Sequence, residues 1–517
     1  MNHLVVLPVV LPALVAALLL LLRPSLRWQR RAGTVACAAL VTIAAWLTVL
    51  AAQDGHQVYA LGDWPAPFGI VLVLDRLSAM MLLLSSVIAF CSLLYAMRGR
   101  DEEGSHFHAL FMFQIMGING AFLTGDLFNL FVFFEVLLIA SYCLLLHGGK
   151  DGQLLPGLHY VAINFTGSFL FLVGASLLYA MTGTLNLADM AQKIAAAPAS
   201  DAALIRAGAL LLLLVFAVKA ALFPLYFWLP RAYSAAEAPV AALFAIMTKV
   251  GVYAILRVAT LVFGPASGVA AGVYEAWLLP VALMTVVIAT FGVLAGRNLR
   301  TMAGYLNIAS VGIICVGVGM FSAPAIAAAL YYLLHSTLVI SLLFLLIDLI
   351  RRRRHDGGDS IARGAAPTHP KLLGALFFIA AIAVVGLPPL SGFLGKIMLL
   401  QAAQAAQAAQ SAFQGSAVLI WAVVLGNALL ALVAMARAGS LVFWHTTAEP
   451  APAWQPAKAL VADALPALLL LGCIVALSVA AGPAADYTAA TARQLLQPAD
   501  YIASVLQPAT VDNGERQ

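Results

Sequence analysis

Residues 207–230 read AGALLLLLVFAVKAALFPLYFWLP. The run is apolar enough to enter a bilayer, yet Lys219 stands in its middle and Pro224 interrupts it about one turn later. A lysine at bilayer depth costs about 3 kcal/mol on insertion scales and more in simulations, so such residues are rare and face a protein interior or a water-filled path. Proline removes a backbone donor and breaks the helix, which membrane proteins tolerate where the freed groups line a cavity. A charge beside a break is the pattern of an ion pathway.

The rest of the chain has the same character. Of its 517 residues 63% are hydrophobic and only 9% charged, and the mean hydropathy is +1.00. An ordinary soluble domain, with about a quarter of its residues charged, is excluded. The net charge of +5 does not point to nucleic acid, because the lysines and arginines gather at the ends of apolar segments, where the positive-inside rule expects them. Cys37, Cys91, Cys143, Cys315 and Cys473 are scattered singly through apolar runs, without metal-ligand spacing, and read as small hydrophobes. No metal or cofactor is expected. The first 22 residues lack a positive n-region and a small-residue cleavage site, so they read as a retained span and not a signal peptide.

At ~20 apolar residues per crossing, the sequence predicts an all-α polytopic membrane protein of about fourteen spans. They lie near 2–22, 32–52, 75–97, 106–124, 126–147, 157–181, 202–228, 237–262, 273–296, 301–321, 323–350, 370–400, 416–446 and 458–482. Alternate loops carry the positive charge: Arg23, Arg27, Arg30 and Arg31; Arg98 and Arg100; Lys150; Arg231; Arg297 and Arg300; Arg351 to Arg354 with Arg363 and Lys371; Arg437 with Lys458. The opposite loops hold little beyond Arg76, Lys193, Arg206 and Arg257. This bias puts both termini outside the cytoplasm.

Between spans, residues 53–74 read as a short extracytoplasmic hairpin around Gly62-Asp63-Trp64-Pro65, and 185–197 as a short amphipathic helix at the outer surface. Gln401, Gln404, Gln407 and Gln410 share one face of a solvated helical extension, and the tail from 483 to 517 reads as loosely ordered or docked on a partner.

Glu135, Lys219, Lys249, His335 and Lys396 each fall near the centre of a span. At 1.5 Å per residue Glu135, Lys219, Lys249 and His335 lie roughly 13 to 20 Å from the nearer end of their spans, close to the middle of a ~30 Å core, and Lys396 follows the Pro388-Pro389 break inside its span. Five ionisable groups at one depth point to a polar axis through the membrane. Any one of them alone has a blander explanation. His335 could be a satisfied polar residue in a helix interface, and Lys249 could simply pair with Glu237. Glu135 and Lys219 make the best pair, since an anion can keep a buried lysine protonated. Asp126, after Thr124-Gly125, reads as a helix cap.

Span twelve, with VVGLPPLSGFLGKIM, resembles span seven: Pro388 and Pro389 break it just before Lys396, as Pro224 breaks span seven just after Lys219. Two such spans five apart suggest two inverted five-helix repeats, spans 4–8 and 9–13. The expected divisions are 1–105 (first three spans and hairpin), 106–262 and 263–446 (the repeats), and 447–517 (last span and tail).

The stretches TGDLFNLFVFFEVLLIASYCLLL (124–146), KAALFPLYFWLPRAYSAAEAPVAALFAIMTKVGVYAILR (219–257) and LPPLSGFLGKIMLL (387–400) resemble the proton-conducting subunits shared by Mrp-type cation/proton antiporters and the antiporter-like part of respiratory complex I. The likeness covers roughly residues 70–445 and leans toward the D-type Mrp antiporter subunits: Lys396 stands where the middle complex I relative typically has glutamate, and only about 35 residues follow the last span. The resemblance implies a Glu135–Lys219 modulating pair, proton carriage by Lys249 and His335, and Lys396 as the terminal relay group. It further implies other membrane subunits as partners, sodium or another monovalent cation as the counter-transported ion, and a bacterial cytoplasmic membrane, with a transporter role and not an enzyme's. A proton-pumping subunit of an oxidoreductase complex is the alternative. Relatives often carry a lysine a few residues after the span-eleven histidine, where this chain has Ile340 and Ser341. Ser336, Thr337, Ser341 or water would then have to link His335 to Lys396.

Overall fold

The computed structural model describes residues 3–22, 25–150, 152–354, 357–408, 416–446 and 457–506. Arg23, Gln410, the side chain of Lys458 and residues 507–517 lie outside the described residues. The first part comprises α1 (Leu7–Leu22), α2 (Leu26–Gln53), β1 (Gln57–Ala60), β2 (Val71–Leu74), α3 (Arg76–Ala96), α4 (Phe107–Leu123), α5 (Leu127–Leu145), α6 (Leu154–Thr182) and the short α7 (Leu187–Ala195). Then follow α8 (Ala202–Ala220), α9 (Trp228–Ala235), α10 (Ala238–Leu261), α11 (Glu275–Ala295), α12 (Leu299–Gly319), α13 (Ala323–Arg353), α14 (Pro370–Val385) and α15 (Ser391–Ala408). The chain closes with α16 (Ser416–Gly439), α17 (Ala457–Val479), α18 (Ala481–Leu495) and α19 (Pro498–Leu506).

Among the described residues, 11 helical segments are long and apolar enough to cross a membrane, and α1, α4 and α14 are shorter apolar helices. The protein is therefore a helical, polytopic membrane protein. Eleven long helices and three short ones stand where about fourteen full spans were expected. The difference has two sources: α1 and α4, at 16 and 17 residues, fall short of the ~20 a hydrocarbon core asks for, and the stretch 370–400 is divided into α14 and α15 at Gly386–Leu390.

Helix α10 is buried along its whole length, and α12 and α13 nearly so. Around these three, α2, α6 and α16 turn large apolar side chains outward, such as Trp46, Phe165 and Leu429, as lipid-facing helices do. Small residues let the central helices close up. A Cβ on Gly251 of α10 would stand 2.6 Å from the Ala220 backbone nitrogen, where α8 ends.

The arginine-bearing loops share one face. Arg30 reaches Asp101 at 2.7 Å, Arg100 reaches Asp348 at 2.8 Å and Glu237 at 3.3 Å, Lys150 reaches Glu103 at 2.6 Å, and Arg300 reaches Asp359 at 2.9 Å. These pairs tie α2, α3, the α5–α6 loop, α10, α12 and α13 together at one end. Burial pushes the Asp101 carboxyl up, but the Arg30 and His108 hydrogen bonds outweigh it and hold it at about 2.

The opposite face carries the hairpin, with Gln57 opposite Leu74 and Ala60 opposite Val71. Asp126 caps α5 there, accepting from the Asn129 amide at 2.8 Å, and Asn186 caps α7. Two placements correct the sequence-based picture. Arg257 is not a loop cation: it is buried in α10, 2.6 Å from Asp75, which is held below the usual carboxylate range because that guanidinium outweighs desolvation. The tail is folded against its own chain as far as Leu506. The Tyr487 hydroxyl donates to the Arg76 carbonyl at 3.0 Å, the Arg76 amide donates to Gln494 at 3.1 Å, and the Tyr501 ring stacks 5.2 Å from the Arg257 guanidinium. These anchors lie more than 200 residues away in sequence, so local composition could not reveal them.

Candidate functional site

Helix α8 stops one residue after Lys219, because Ala221 turns into the left-handed region at φ 58° and Pro224 cannot rejoin the ladder. Backbone groups at the break find partners: the Val218 carbonyl accepts from the Ala221 amide at 3.1 Å and from the Trp228 indole at 3.2 Å, and the Phe223 amide donates to Thr285 Oγ1 at 2.9 Å. Lys219 thus sits buried in the last turn, at the end of the helix that favours a cation.

Glu135 and Lys219 are joined, but not by a direct ion pair. Ser168 of α6 stands between them, donating its hydroxyl proton to Glu135 and accepting from Lys219 Nζ at 3.3 Å, while the same ammonium donates to the Asn164 carbonyl at 3.3 Å. The Phe134 ring lies 5.8 Å from Nζ. Glu135 itself is half-buried. Asn164 and Ser168, four residues apart on one face of an apolar helix, are the signal that sequence reasoning passed over.

Lys249, on fully buried α10, does not meet Glu237, which is engaged by Lys150 and Arg100 at the arginine-rich face. Its Nζ donates instead to Asn307 Oδ1 at 2.5 Å and Ser310 Oγ at 3.1 Å, both on α12. The twelve residues between Lys249 and Glu237 cover about 18 Å of helix, too far for a side-chain contact.

His335, on α13, bridges the break between α14 and α15. One ring nitrogen, Nε2, lies 2.9 Å from the Ala383 carbonyl and must carry the proton, since a carbonyl only accepts; the other, Nδ1, lies 2.8 Å from Ser391 Oγ. Lys396 reaches back to donate to the Val385 carbonyl at 2.7 Å, the last residue of α14. The two lysines lie on opposite sides of their breaks in sequence: Lys219 belongs to the last turn of α8 but extends to α6, whereas the Lys396 ammonium attends the C-terminal end of α14. Gly392 leaves room for His335, for a Cβ there would stand 2.5 Å from Nε2.

The hydroxyls expected to link His335 to Lys396 are otherwise engaged. Thr337 and Ser336 donate to the Leu333 carbonyl, and Ser341 donates to the Ala242 carbonyl. Ser391, at the break, is the hydroxyl beside the imidazole. The structure therefore groups Glu135 with Lys219, Lys249 with α12, and His335 with the break that holds Lys396; among the described residues no hydrogen bond joins one group to the next.

Three buried lysines, each held by neutral oxygens, beside two broken helices in a polytopic bundle define a membrane protein built around buried protonatable groups, the class to which ion-translocating subunits belong. The family described as NADH:quinone oxidoreductase/Mrp antiporter, TM, matches residues 124–426, and the chain belongs to that family. The chain is 42% identical to a probable K(+)/H(+) antiporter D subunit of Rhizobium meliloti (strain 1021), over 98% of each chain. It is 38% identical to the Na(+)/H(+) antiporter D subunit of Alkalihalophilus pseudofirmus, over 98% of this chain and 100% of that one. In three dimensions it resembles a chain of the Mrp complex from Dietzia sp. DQ12-45-1b, with a TM-score of 0.87 and 26% identity over 98% of this chain and 100% of that one.

Proposed function

We propose that the chain is the proton-conducting, D-type subunit of an electrogenic monovalent cation/proton antiporter complex in a bacterial cytoplasmic membrane. One observation carries this most: Lys219, Lys249 and Lys396 are buried at mid-helix or at a helix break, and none has a carboxylate within ion-pair distance among the described residues. A structural lysine would be neutralised by an ion pair; one held by hydroxyl, amide and carbonyl oxygens is free to release and regain its proton. Glu135 and Lys219 form the modulating pair through Ser168, Lys249 and His335 carry protons, and Lys396 is the terminal group. Inward proton flow drives export of sodium or potassium. Each charge moved is worth ~2.3 kcal/mol per 100 mV, so moving more protons than cations sustains export.

The same reading takes the arginine-rich face as cytoplasmic, both termini as extracytoplasmic, α1, α4 and α14 as shortened spans that complete fourteen, and the helices α4–α10 and α11–α16 as inverted repeats. The other membrane subunits of the complex are the partners. A second reading, a subunit of a respiratory oxidoreductase, is kept by the family's own breadth, since its description names both systems. Co-purification separates the two: iron-sulfur and flavin subunits would favour the second.

The test is Lys219→Ala in everted vesicles, followed by the fluorescence of a pH-sensitive dye on addition of Na+ or K+. Cation-dependent proton movement is lost while the complex assembles; a wild-type signal from an assembled Lys219→Ala complex overturns the proposal.

A further inference from the structure

We propose that the arginine-rich face carries a binding site for the headgroup phosphate of an anionic phospholipid, in the recess around Arg231 between α6, α9 and α12. The recess has a volume of about 670 Å³ and is walled by His159 and Ile163 of α6, Arg231 and Ser234 of α9, and Thr301 and Tyr305 of α12. His159, Thr301 and Tyr305 fall within the first two turns of their helices, about 3 to 9 Å of rise from the face where the ion-paired loops gather, which is close to headgroup depth; Ile163 lies deeper. Tyr226 and Tyr305, which share the wall, are amphipathic aromatics of the kind that settle at a membrane–water boundary.

The charge in the recess is what selects an anion. A second, smaller hollow of about 340 Å³ adjoins it, sharing Arg231 and Ser234 and adding Lys150, Arg300 and Arg351. Those three cations already have carboxylates: Lys150 has Glu103 and Glu237, Arg300 has Asp359, and Arg351 has Asp348. Arg231, which is exposed, has no ion pair among the described residues. A guanidinium presents a planar fork that matches two phosphate oxygens. With Thr301, Tyr305 and His159 around it, the recess offers hydroxyl and imidazole donors for the remaining oxygens, while the Ser234 hydroxyl donates to the Arg231 carbonyl. The same fixed cation at the mouth discourages a proton, so the recess suits an anion better than a path for hydrogen ions.

The surroundings choose a lipid over free phosphate. On α6 the side chains of Leu155, Leu158 and Phe165 are exposed, and so is Phe291 near the end of α11. They form apolar flanks on which acyl chains can lie once the headgroup is seated. The basic pocket at the positively charged side of a helical bundle is a recognised way of holding an acidic lipid.

The experiment uses the intact, detergent-solubilised complex, titrated with phosphatidylglycerol, phosphatidylcholine or inorganic phosphate, with bound lipid counted by native mass spectrometry. The wild type retains phosphatidylglycerol in preference to phosphatidylcholine. Arg231→Gln retains about tenfold less of it, Arg231→Lys recovers part of the loss, and millimolar phosphate does not displace it. His159→Gln, at a second exposed wall position, lowers retention to a smaller degree. The site is refuted if Arg231→Gln and His159→Gln both keep wild-type retention. It is refuted as a lipid site if phosphate displaces the bound lipid or if phosphatidylcholine is held equally well.

Discussion

Replacing Asn307 by aspartate changes one atom group and reverses the logic of the site. In the native protein Lys249 Nζ donates to a neutral amide oxygen 2.5 Å away, an arrangement that solvates an ammonium without fixing it. Asn307→Asp puts a carboxylate at the same place with almost no change of volume. An opposite charge at that range favours the charged form by one to three pK units, or about 1.4 to 4 kcal/mol. If Lys249 must release its proton in each cycle, the release step slows by about 10- to 1000-fold. Asn307→Ala removes the hydrogen bond without adding a charge, and its loss is limited to the ~1.5–3 kcal/mol of a hydrogen bond to a charged group. The assay is cation-dependent proton movement in everted vesicles, with complex assembly followed on native gels. The two variants should differ in kind: Asn307→Asp assembles but is nearly inactive, and raising the external pH partly restores it, whereas Asn307→Ala, which removes a bond to the charged form, is impaired more as the pH rises. An assembled Asn307→Asp complex working within twofold of wild type at every pH would show that Lys249 does not cycle its proton.

Ser168→Ala removes the hydroxyl that joins Glu135 to Lys219, so antiport should drop by roughly tenfold or more, about the worth of a charge-assisted hydrogen bond, with Ser168→Thr retaining most of the rate. Gly392→Ala places a Cβ 2.5 Å from His335 Nε2 and 2.7 Å from the Ala383 carbonyl; His335 must swing off the break, and transport should be lost more completely than with a substitution at exposed Gln401. Arg30→Gln tests the face network: the Asp101 carboxyl is held at about 2 against an ordinary 3.8, a lowered value, so its stabilisation is complete above about pH 4 and lost as the pH falls toward 2. The melting temperature of Arg30→Gln should therefore lie below wild type at pH 7, with a gap that closes on acidification, as measured by thermal unfolding in detergent.

How far the sequence could be read depended on whether a feature was local. The apolar runs and the prolines are local, and they placed the helices and both breaks. The five ionisable residues stood out because each interrupts an apolar run. Their partners did not, because a hydrogen bond across helices depends on how each helix is rotated about its axis. Asn307 was visible as the polar residue of its span, yet nothing in the span indicates that it faces Lys249 on α10. Ser168 needed the i, i+4 pairing with Asn164 to be noticed. Asp348 and Arg100, 248 residues apart and 2.8 Å from each other, were out of reach, as was the anchoring of the tail on Arg76 and Arg257. Loose composition at residues 483–506 concealed helices whose stability comes from tertiary contact, which is where most helical stability in proteins arises.

The chain handles its charges in two opposed ways, and the contrast bears on function. At the arginine-rich face Asp348 accepts from Tyr95, Arg100, Arg351 and Arg352 together, and at the opposite face Arg257 is clamped on Asp75. Arginine never deprotonates in proteins, so it suits such places, where charge is fixed and fully paired. Between the two faces the cations are lysines, and their partners are Ser168, Asn307, Ser310 and the carbonyls of Asn164 and Val385. Removing one partner of a buried pair costs ~3–5 kcal/mol because a charge is stranded; a lysine that shed its proton beside a carboxylate would face the same cost in every cycle. Neutral oxygens avoid it, since they solvate the ammonium and tolerate the amine. The break after α14 then becomes a source of such an oxygen: the Val385 carbonyl at its end accepts from Lys396, while the Val218 and Ala383 carbonyls, already bonded to the Ala221 and Gly386 amides, accept a second bond from Trp228 and His335. At the α14–α15 break the interruption therefore brings a backbone acceptor to a buried lysine, with the half-helix dipole adding to the attraction.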